Sequence, residues 1–507
     1  MSFNLLPLLF AAVAVSSSPG VAPPPLVGAR YFAGWYNCST HPVPSCWSHF
    51  KGFTPTGAPV DNFFPSYPER APTLGLYTTA LDTIIAEVRA ADRALDYFSM
   101  LYYDADAACA AADPNLAFCL DSSLAFMLDN STAVWAGVQR LRFFITYSND
   151  VDRGAGGMFV GAAGQAAWLS RVGTWLRAMA HPRYLRVNGR PVFEVLIPDI
   201  FTAQCGGNAS LATQLLAQFR ALGLQQGLGE PLIGGSWQNP STPSTPVQPG
   251  PHPNGYLVYP GTDIPCPSAS GGACDLASLT SATLQQCWAA CNTTAGCAAL
   301  VHWPASSNCT LKGTGGPGAP RAGADAYVRV LQAVPYDFTS TYNAAPPVCP
   351  GQPDWVCPQY ANSWWPNATP SGARLFPYAQ CADFQAAARG NHSGDPVPYL
   401  PNVIAGFDPR PWEEHSPSFL PPSEQEWEAA LVQARELVAA PGNSRFGFPD
   451  ASAPGGVQPA VSIYAWNELG EGGIVAPTAG AGSMMLDVLA RVFPSPAQPS
   501  AQAVHSE

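Results

Sequence analysis

Eight short β-rich runs recur along the 507 residues, and most of the intervals between them carry a helical pattern. The runs are 30–36 (RYFAGWY), 95–103 (LDYFSMLYY), 141–147 (LRFFITY), 191–197 (PVFEVLI), 231–237 (PLIGGSW), 336–342 (YDFTSTY), 402–408 (NVIAGFD) and 460–466 (AVSIYAW). They are mostly apolar, without strict alternation, as strands covered on both faces should be. Between them, Leu81, Ile84, Ile85 and Val88 fall at i, i+3, i+4 and i+7 within 79–93, one face of a helix. The stretches 168–179, 211–222 and 424–438 read similarly. Eight strands alternating with helices is the arithmetic of an α/β fold of the (β/α)8 barrel type; a doubly wound open sheet is the alternative, but nothing in it requires eight.

One interval breaks the rhythm. A Pro/Ser/Thr-rich linker (NPSTPSTPVQPGPHPNG) follows Trp237, and six of the 14 cysteines (266, 274, 287, 291, 297 and 309) then fall within 44 residues. This reads as a small disulfide-dense α+β unit inserted into a barrel loop. The expected organisation is a leader over 1–18, a discontinuous barrel over 27–240 and 332–495, the insert over 256–331 and a flexible tail over 496–507.

The leader is an apolar run of 11 residues at 5–15 (LLPLLFAAVAV) followed by small residues and a Pro-Gly break. It is too short for a membrane span and the right length for a cleaved signal peptide, although no Lys or Arg precedes it. A signal anchor or an ordinary buried segment are the other readings. Close cysteine pairs such as Cys38/Cys46, Cys109/Cys119 and Cys349/Cys357 do not have C-x-x-C spacing, which favours disulfides over zinc or redox motifs. Seven N-x-S/T sequons occur, of which Asn130, Asn208, Asn292, Asn367 and Asn391 are the better glycosylation acceptors; Asn37 and Asn308 have Cys in the middle position. A secreted or extracellular glycoprotein, or one held in the lumen of the secretory pathway, is expected.

Only 11% of residues are charged and the formal net charge is −12, with no basic cluster. That argues against a nucleic-acid partner and against an anionic membrane surface, and no second apolar run is long enough to span a membrane. The eight histidines do not cluster in ligand spacing, so neither a metal nor a cofactor is expected.

The chemistry-bearing segment is the last strand and its exit, SIYAWNELGEGG at 462–473. In a barrel of this type the C-terminal strand ends line the active site. Glu468 and Glu471, three residues apart at that position, supply the proton donor and the base or nucleophile that glycoside cleavage needs, and repulsion between them would keep one protonated. A solvated acidic turn is the alternative. Aromatic side chains at other strand ends could stack on sugar rings: Trp35, Tyr36, Tyr103, Tyr342 and Trp466, with Trp47 and Tyr102 as further candidates. Each could equally be a wall or core residue. Asn467 belongs with these substrate-binding candidates, as does Asp408, which with Arg410 forms either a pocket ion pair or a structural clamp. His49 is a further candidate.

The stretch AWNELGEGG resembles the NEW-x-EG signature of glycoside hydrolase family 99, the endo-α-mannosidases, and of their WbsX-like relatives. YFAGWYN with CWSHF, APTLGLYTT, LDYFSMLYYD, HPRYLRVNGRPVFEV, YDFTSTYN and IAGFDPRPW match other pieces in order, covering nearly all the chain outside the insert. The resemblance implies a retaining α-glycosidase of endo-α-mannosidase-like type. Glu468 would be its base, acting through the sugar's own 2-hydroxyl and an anhydro intermediate, and Glu471 its general acid. Leu469 and Gly470 stand where the endomannosidase version carries Trp and His, which leaves mannose specificity open.

The insert's YPGTDIP and LQQCWAACNTTAGCAALVHWPASSNCTLKG resemble a PAN/Apple domain. That resemblance implies the pairs Cys287–Cys309 and Cys291–Cys297, where six cysteines alone allow 15 pairings, and a ligand that is a cell-wall or extracellular-matrix glycan or a protein. A spacer that decorates the barrel is the other reading. For the whole chain the expected partner is a glycan or polysaccharide substrate. Two other functions are weighed: a non-catalytic glycan-binding or adhesion protein on a decayed barrel, and a glycosyltransferase, against which stands the lack of a DxD triplet or a Gly-rich phosphate loop.

Overall fold

The computed structural model describes residues 23–35, 50–103 (except 56, 77 and 79), 121–149, 156–237, 336–342, 375–391, 397–412, 418–440 and 445–494. Between 250 and 356 it describes 250–252, 256–263, 275–280, 286–287, 299–303, 308–312, 319–329, 348–349 and 352–356 as well. The leader, the tail, Tyr36, Trp47, His49, Cys291, Cys297, Asn292 and Asn367 lie outside the described residues.

Eight parallel strands form the main sheet. They are β1 (Leu26–Tyr31), β2 (Tyr97–Tyr102), β3 (Arg142–Tyr147), β4 (Arg190–Val195), β5 (Leu232–Trp237) and β6 (Phe338–Thr341), then β7, made of Tyr399–Leu400 and Asn402–Ile404, and β8 (Val457–Tyr464). Each pairs with its successor, and β8 returns to β1, with Leu26 opposite Ala460 and Ala29 opposite Ile463. The ring is nearly closed, with its one interruption inside β7, whose first half pairs with β6 and whose second half pairs with β8. The break is Pro401, which has no N–H to give to a ladder; its carbonyl still accepts from the Ser462 N–H. All eight sequence-predicted strands are present, but the run at 402–408 leaves the ladder after Ile404. At Gly406 the backbone lies so close to the Gly472 carbonyl that no β-carbon would fit.

The helices cover the ring with the stripes expected of them. Glu424–Ala439 buries Trp427, Ala430, Leu431, Ala434 and Val438, and it starts on a Ser423/Glu426 capping box. Gly161–Met179 and Ala209–Gln225 pack Trp175 and Phe219 against Phe193 of β4, and Trp168 against Phe219. Asn208 is exposed and caps the second of these, its Oδ1 accepting from the Leu211 N–H. Asn130 precedes the short helix Ser131–Val134, and Asn391 ends the helix Tyr378–Asn391.

The interior of the ring is not purely apolar. Arg30 of β1 and Glu194 of β4 meet there at 2.5 Å, both essentially without solvent exposure. Thr146 of β3 donates to Glu194 at 2.9 Å, and Ser340 of β6 donates to its other oxygen. Arg30 also reaches Ser236 of β5 at 3.1 Å and Ser99 of β2 at 3.4 Å. Six strands thus each place one polar side chain in a single network, which offsets the desolvation of the two charges.

A second, separate sheet spans Gly250–Arg329. Its six strands are antiparallel, in the order Asp275–Leu279, Asn308–Lys312, Ala299–Trp303, Ala319–Arg329, Tyr256–Asp263, Gly250–His252. Cys287 and Cys309 are bridged, with Cα atoms 6.3 Å apart, and both are buried. Bridging does not extend to every cysteine: Cys205 and Cys381 are free, buried thiols, and burial pushes both up to about 12. They behave as small apolar core residues. Among the described residues no helix is long and apolar enough to cross a membrane.

Two predictions concern buried carboxylates. Arg30→Met strands Glu194 inside the ring and should cost about 3–5 kcal/mol, with part recovered in the Arg30→Met/Glu194→Leu double variant, as read by denaturant unfolding. Glu87, on the inner face of the helix Leu81–Ala91, accepts a hydrogen bond from the Tyr31 hydroxyl at 2.5 Å, and burial raises its carboxyl from 4.5 to about 7. Folding therefore favours its protonated form. The contribution is complete below about pH 4.5 and is lost as pH rises through about 7, a change on the order of 3 kcal/mol. Glu87→Gln should flatten the fall in melting temperature between pH 5 and 8; an unchanged slope would count against this assignment.

Candidate active site

Strand β8 leads directly into the segment with both candidate acids. Beyond Tyr464 the chain passes Ala465 and Trp466 and makes a tight hairpin, in which Asn467 and Glu468 pair antiparallel with Ile474 and Gly473. Leu469, Gly470, Glu471 and Gly472 form its turn. Gly472 sits at φ +77°, the left-handed region that glycine enters without penalty. Gly470 is required for a different reason: a β-carbon there would fall within the indole of Trp412.

The two carboxylates rest on a pair of tyrosines. The Tyr342 hydroxyl donates to Glu468 Oε1 at 2.5 Å, and the Tyr464 hydroxyl donates to Glu471 Oε2. The two phenol rings meet edge-to-face with centroids 4.9 Å apart. Glu468 is buried and Glu471 half-buried. Burial, and then the neighbouring carboxylates, raise both tyrosines well above their usual range. They therefore stay neutral and act as hydroxyl donors at any working pH. Tyr342 also carries the Arg30 guanidinium 5.2 Å from its ring centroid, which links the site to the polar network inside the ring.

The aromatic candidates divide. Tyr342 lies in the site, and Tyr103 is close enough that its charge would bear on Tyr342. Trp35 and Trp466 are corrections to the sugar-stacking expectation, because neither has a face open to solvent. Trp466 is fully enclosed against Phe98, with centroids 5.2 Å apart. Trp35 is packed among Phe32, Phe50, Phe63 and Trp412, and its Nε1 donates to the Asn467 carbonyl at 2.8 Å. Asn467 is likewise occupied by the fold: its Oδ1 accepts from the Phe32 N–H at 2.8 Å and its Nδ2 donates to the Phe32 carbonyl at 2.9 Å. Asn467 and Trp35 together fasten the hairpin to the exit of β1.

Asp408 takes the clamp reading of its two alternatives. Its carboxylate receives Arg410 Nε at 2.6 Å and Nη2 at 2.7 Å, and also Arg70 Nη2. Burial alone would raise it, but the hydrogen bonds from Arg410 and the charge of Arg70 outweigh this and hold it below the usual carboxylate range. Arg70 and Tyr464 are the residues that sequence reasoning missed. Tyr464 had a signal, four residues before Glu468 at the end of the same strand; Arg70, in a connecting turn, had none. Beside the hairpin, Trp412 borders a groove of about 570 Å³ that is also lined by Lys51, Phe53, Val60 and Asp61. Among the described residues no group of three or more His, Cys, Asp or Glu side chains is arranged to hold a metal ion.

No family model and no curated protein matches this chain. Among solved structures it is similar to a glycoside hydrolase-like protein at 11% identity, covering 95% of this chain and 98% of that one, with a TM-score of 0.44. It is also similar to the GH99 endo-α-mannosidase from Bacteroides thetaiotaomicron at 11% identity, covering 92% and 98% of the two chains, with a TM-score of 0.40. A complex of a Bacteroides GH99 endo-α-mannosidase with bis-tris-propane matches at 13% identity over 92% and 95%, with a TM-score of 0.38. At this identity and TM-score the likeness says nothing about which residues of this chain act.

Gly470→Ala tests the packing of the hairpin. The added methyl has to displace the Trp412 indole, so a loss of about 1–3 kcal/mol in stability and a shift in tryptophan emission are expected. Unchanged emission and stability would show that the turn is looser than described.

Proposed function

We propose that the chain is a secreted, disulfide-bonded glycoside hydrolase that cleaves an α-linked glycan with Glu468 as base and Glu471 as general acid. The observation that carries this reading is the carboxylate pair on one hairpin at the C-terminal end of β8, each acid held by one of two touching tyrosines. Polar groups at that end of a parallel barrel are where such folds do their chemistry. Glu468 is held at a fixed place by the Tyr342 hydroxyl, which suits it to take a proton from a substrate hydroxyl. Glu471 is more open, which suits it to meet a leaving-group oxygen.

In the proposed reaction Glu468 takes the proton of the sugar 2-hydroxyl as that oxygen bonds to the anomeric carbon. The glycosidic bond breaks as Glu471 gives its proton to the departing oxygen. Water then opens the anhydro sugar with the two proton transfers reversed, and the anomeric configuration is retained. The secreted address rests on the apolar leader and the sequons. For the insert the proposal is a PAN/Apple-like module that binds glycan or protein, supported by its antiparallel sheet and the Cys287–Cys309 bridge.

The test is a hydrolysis screen of the secreted protein on α-manno, α-gluco and rhamnose-rich glycans. Glu468→Gln and Glu471→Gln should each lower turnover by roughly 10²–10⁴-fold without loss of fold. Binding of glycans without cleavage of any would favour the non-catalytic reading instead.

A further inference from the structure

The carbonyls of the turn between the two acids converge on one guanidinium. Arg70 ends the 3-10 helix Pro68–Arg70, in the connection between β1 and the helix Leu81–Ala91, and its side chain is buried. Its Nη1 donates to the carbonyls of Asp408 at 2.9 Å, Leu469 at 3.2 Å and Gly470 at 3.2 Å. Leu469 and Gly470 are the two residues that separate Glu468 from Glu471. The peptide bonds that set the spacing of the two acids are therefore gathered on one nitrogen.

The rest of the cluster locks the guanidinium. Arg70 Nη2 pairs with Asp408, whose carboxylate is turned toward it by the two-pronged contact with Arg410. The Asp408 N–H donates to the Glu471 carbonyl at 2.6 Å, so the same residue fixes the second acid's backbone. Tyr67 lies against both cations, 4.9 Å from the Arg70 guanidinium and 5.8 Å from that of Arg410. Gly472 packs against this assembly, where a β-carbon would come within 3.1 Å of the Asp408 nitrogen.

We infer that Arg70 is the positioning residue of the acid pair: through the carbonyls of Leu469 and Gly470 it sets the separation and aim of Glu468 and Glu471. This deepens the glycoside hydrolase reading and rests on it. A planar fork with fixed N–H directions can hold three carbonyls and a carboxylate together, whereas the lysine ammonium is a point charge with three rotating donors. Lysine at 70 therefore keeps the charge and loses the geometry.

Arg70→Lys and Asp408→Asn are compared with the parent in two ways. On a glycan the parent cleaves, kcat should fall by roughly 10²-fold, the loss that a misplacement of about 1 Å brings, with KM little changed and the pH-rate profile displaced. Independently of turnover, the side-chain carboxyl ¹³C resonances of Glu468 and Glu471, assigned through their Gln variants, should move in both variants, while those of the remote Glu424 and Glu428 stay in place. Parental resonances for the two acids in Arg70→Lys overturn the inference, and so does a displacement shared with Glu424 and Glu428, which marks general loosening. If the parent cleaves nothing, the hydrolase reading fails and the resonances still decide the role of Arg70.

Discussion

Inside the barrel a single ion pair, Arg30 with Glu194, organises the polar groups of six strands, and the geometry at the mouth follows from it. Two charges without solvent exposure are tolerable only when they are paired with each other and hydrogen-bonded by the groups around them. Ser99, Thr146, Ser236 and Ser340 provide those partners, and each must arrive from its own strand at the same height. That requirement ties the register of the whole ring to one point. It also fixes the end of β6, because Arg30 donates to the Thr341 carbonyl at 3.2 Å and stands over the ring of Tyr342, the next residue.

From there the physical chain runs outward without a gap. Tyr342 meets Tyr464 of β8, and these two hydroxyls donate to Glu468 and Glu471. The hairpin with the acids is in turn fastened on three sides. Asn467 and Trp35 join it to the exit of β1, Trp412 lies against the bare face of Gly470, and Arg70 with Asp408 gathers the carbonyls of the turn. Carboxylates set on a short turn need this kind of support to keep a fixed geometry, because the turn's own two-residue ladder is too small to hold it.

The six-stranded antiparallel sheet is built on a different principle from the barrel. The barrel has a large aromatic and aliphatic core, whereas a sheet of short strands in a segment of about 80 residues gains from a covalent brace such as Cys287–Cys309. The free thiols Cys205 and Cys381 make the contrast within one chain: where the core is large, cysteine serves as a buried apolar side chain without a partner.

The amino-acid order by itself determined the eight strands, the helices between them and the place of the two acids, since hydrophobic periodicity and strand count are local properties that survive in a linear reading. It also marked Tyr342 and the alternatives for Asp408. What it could not convey is which side of a strand end each aromatic would occupy, so Trp35 and Trp466, expected at the sugar, belong to the packed interior. Nor could it show that Arg30 pairs with Glu194, 164 positions away, or that Arg70 reaches a turn about 400 positions later. A charged side chain in a strand or a loop carries no local sign of its partner. Only closure of the ring brings these residues within hydrogen-bond distance, and burial then makes the pairing obligatory.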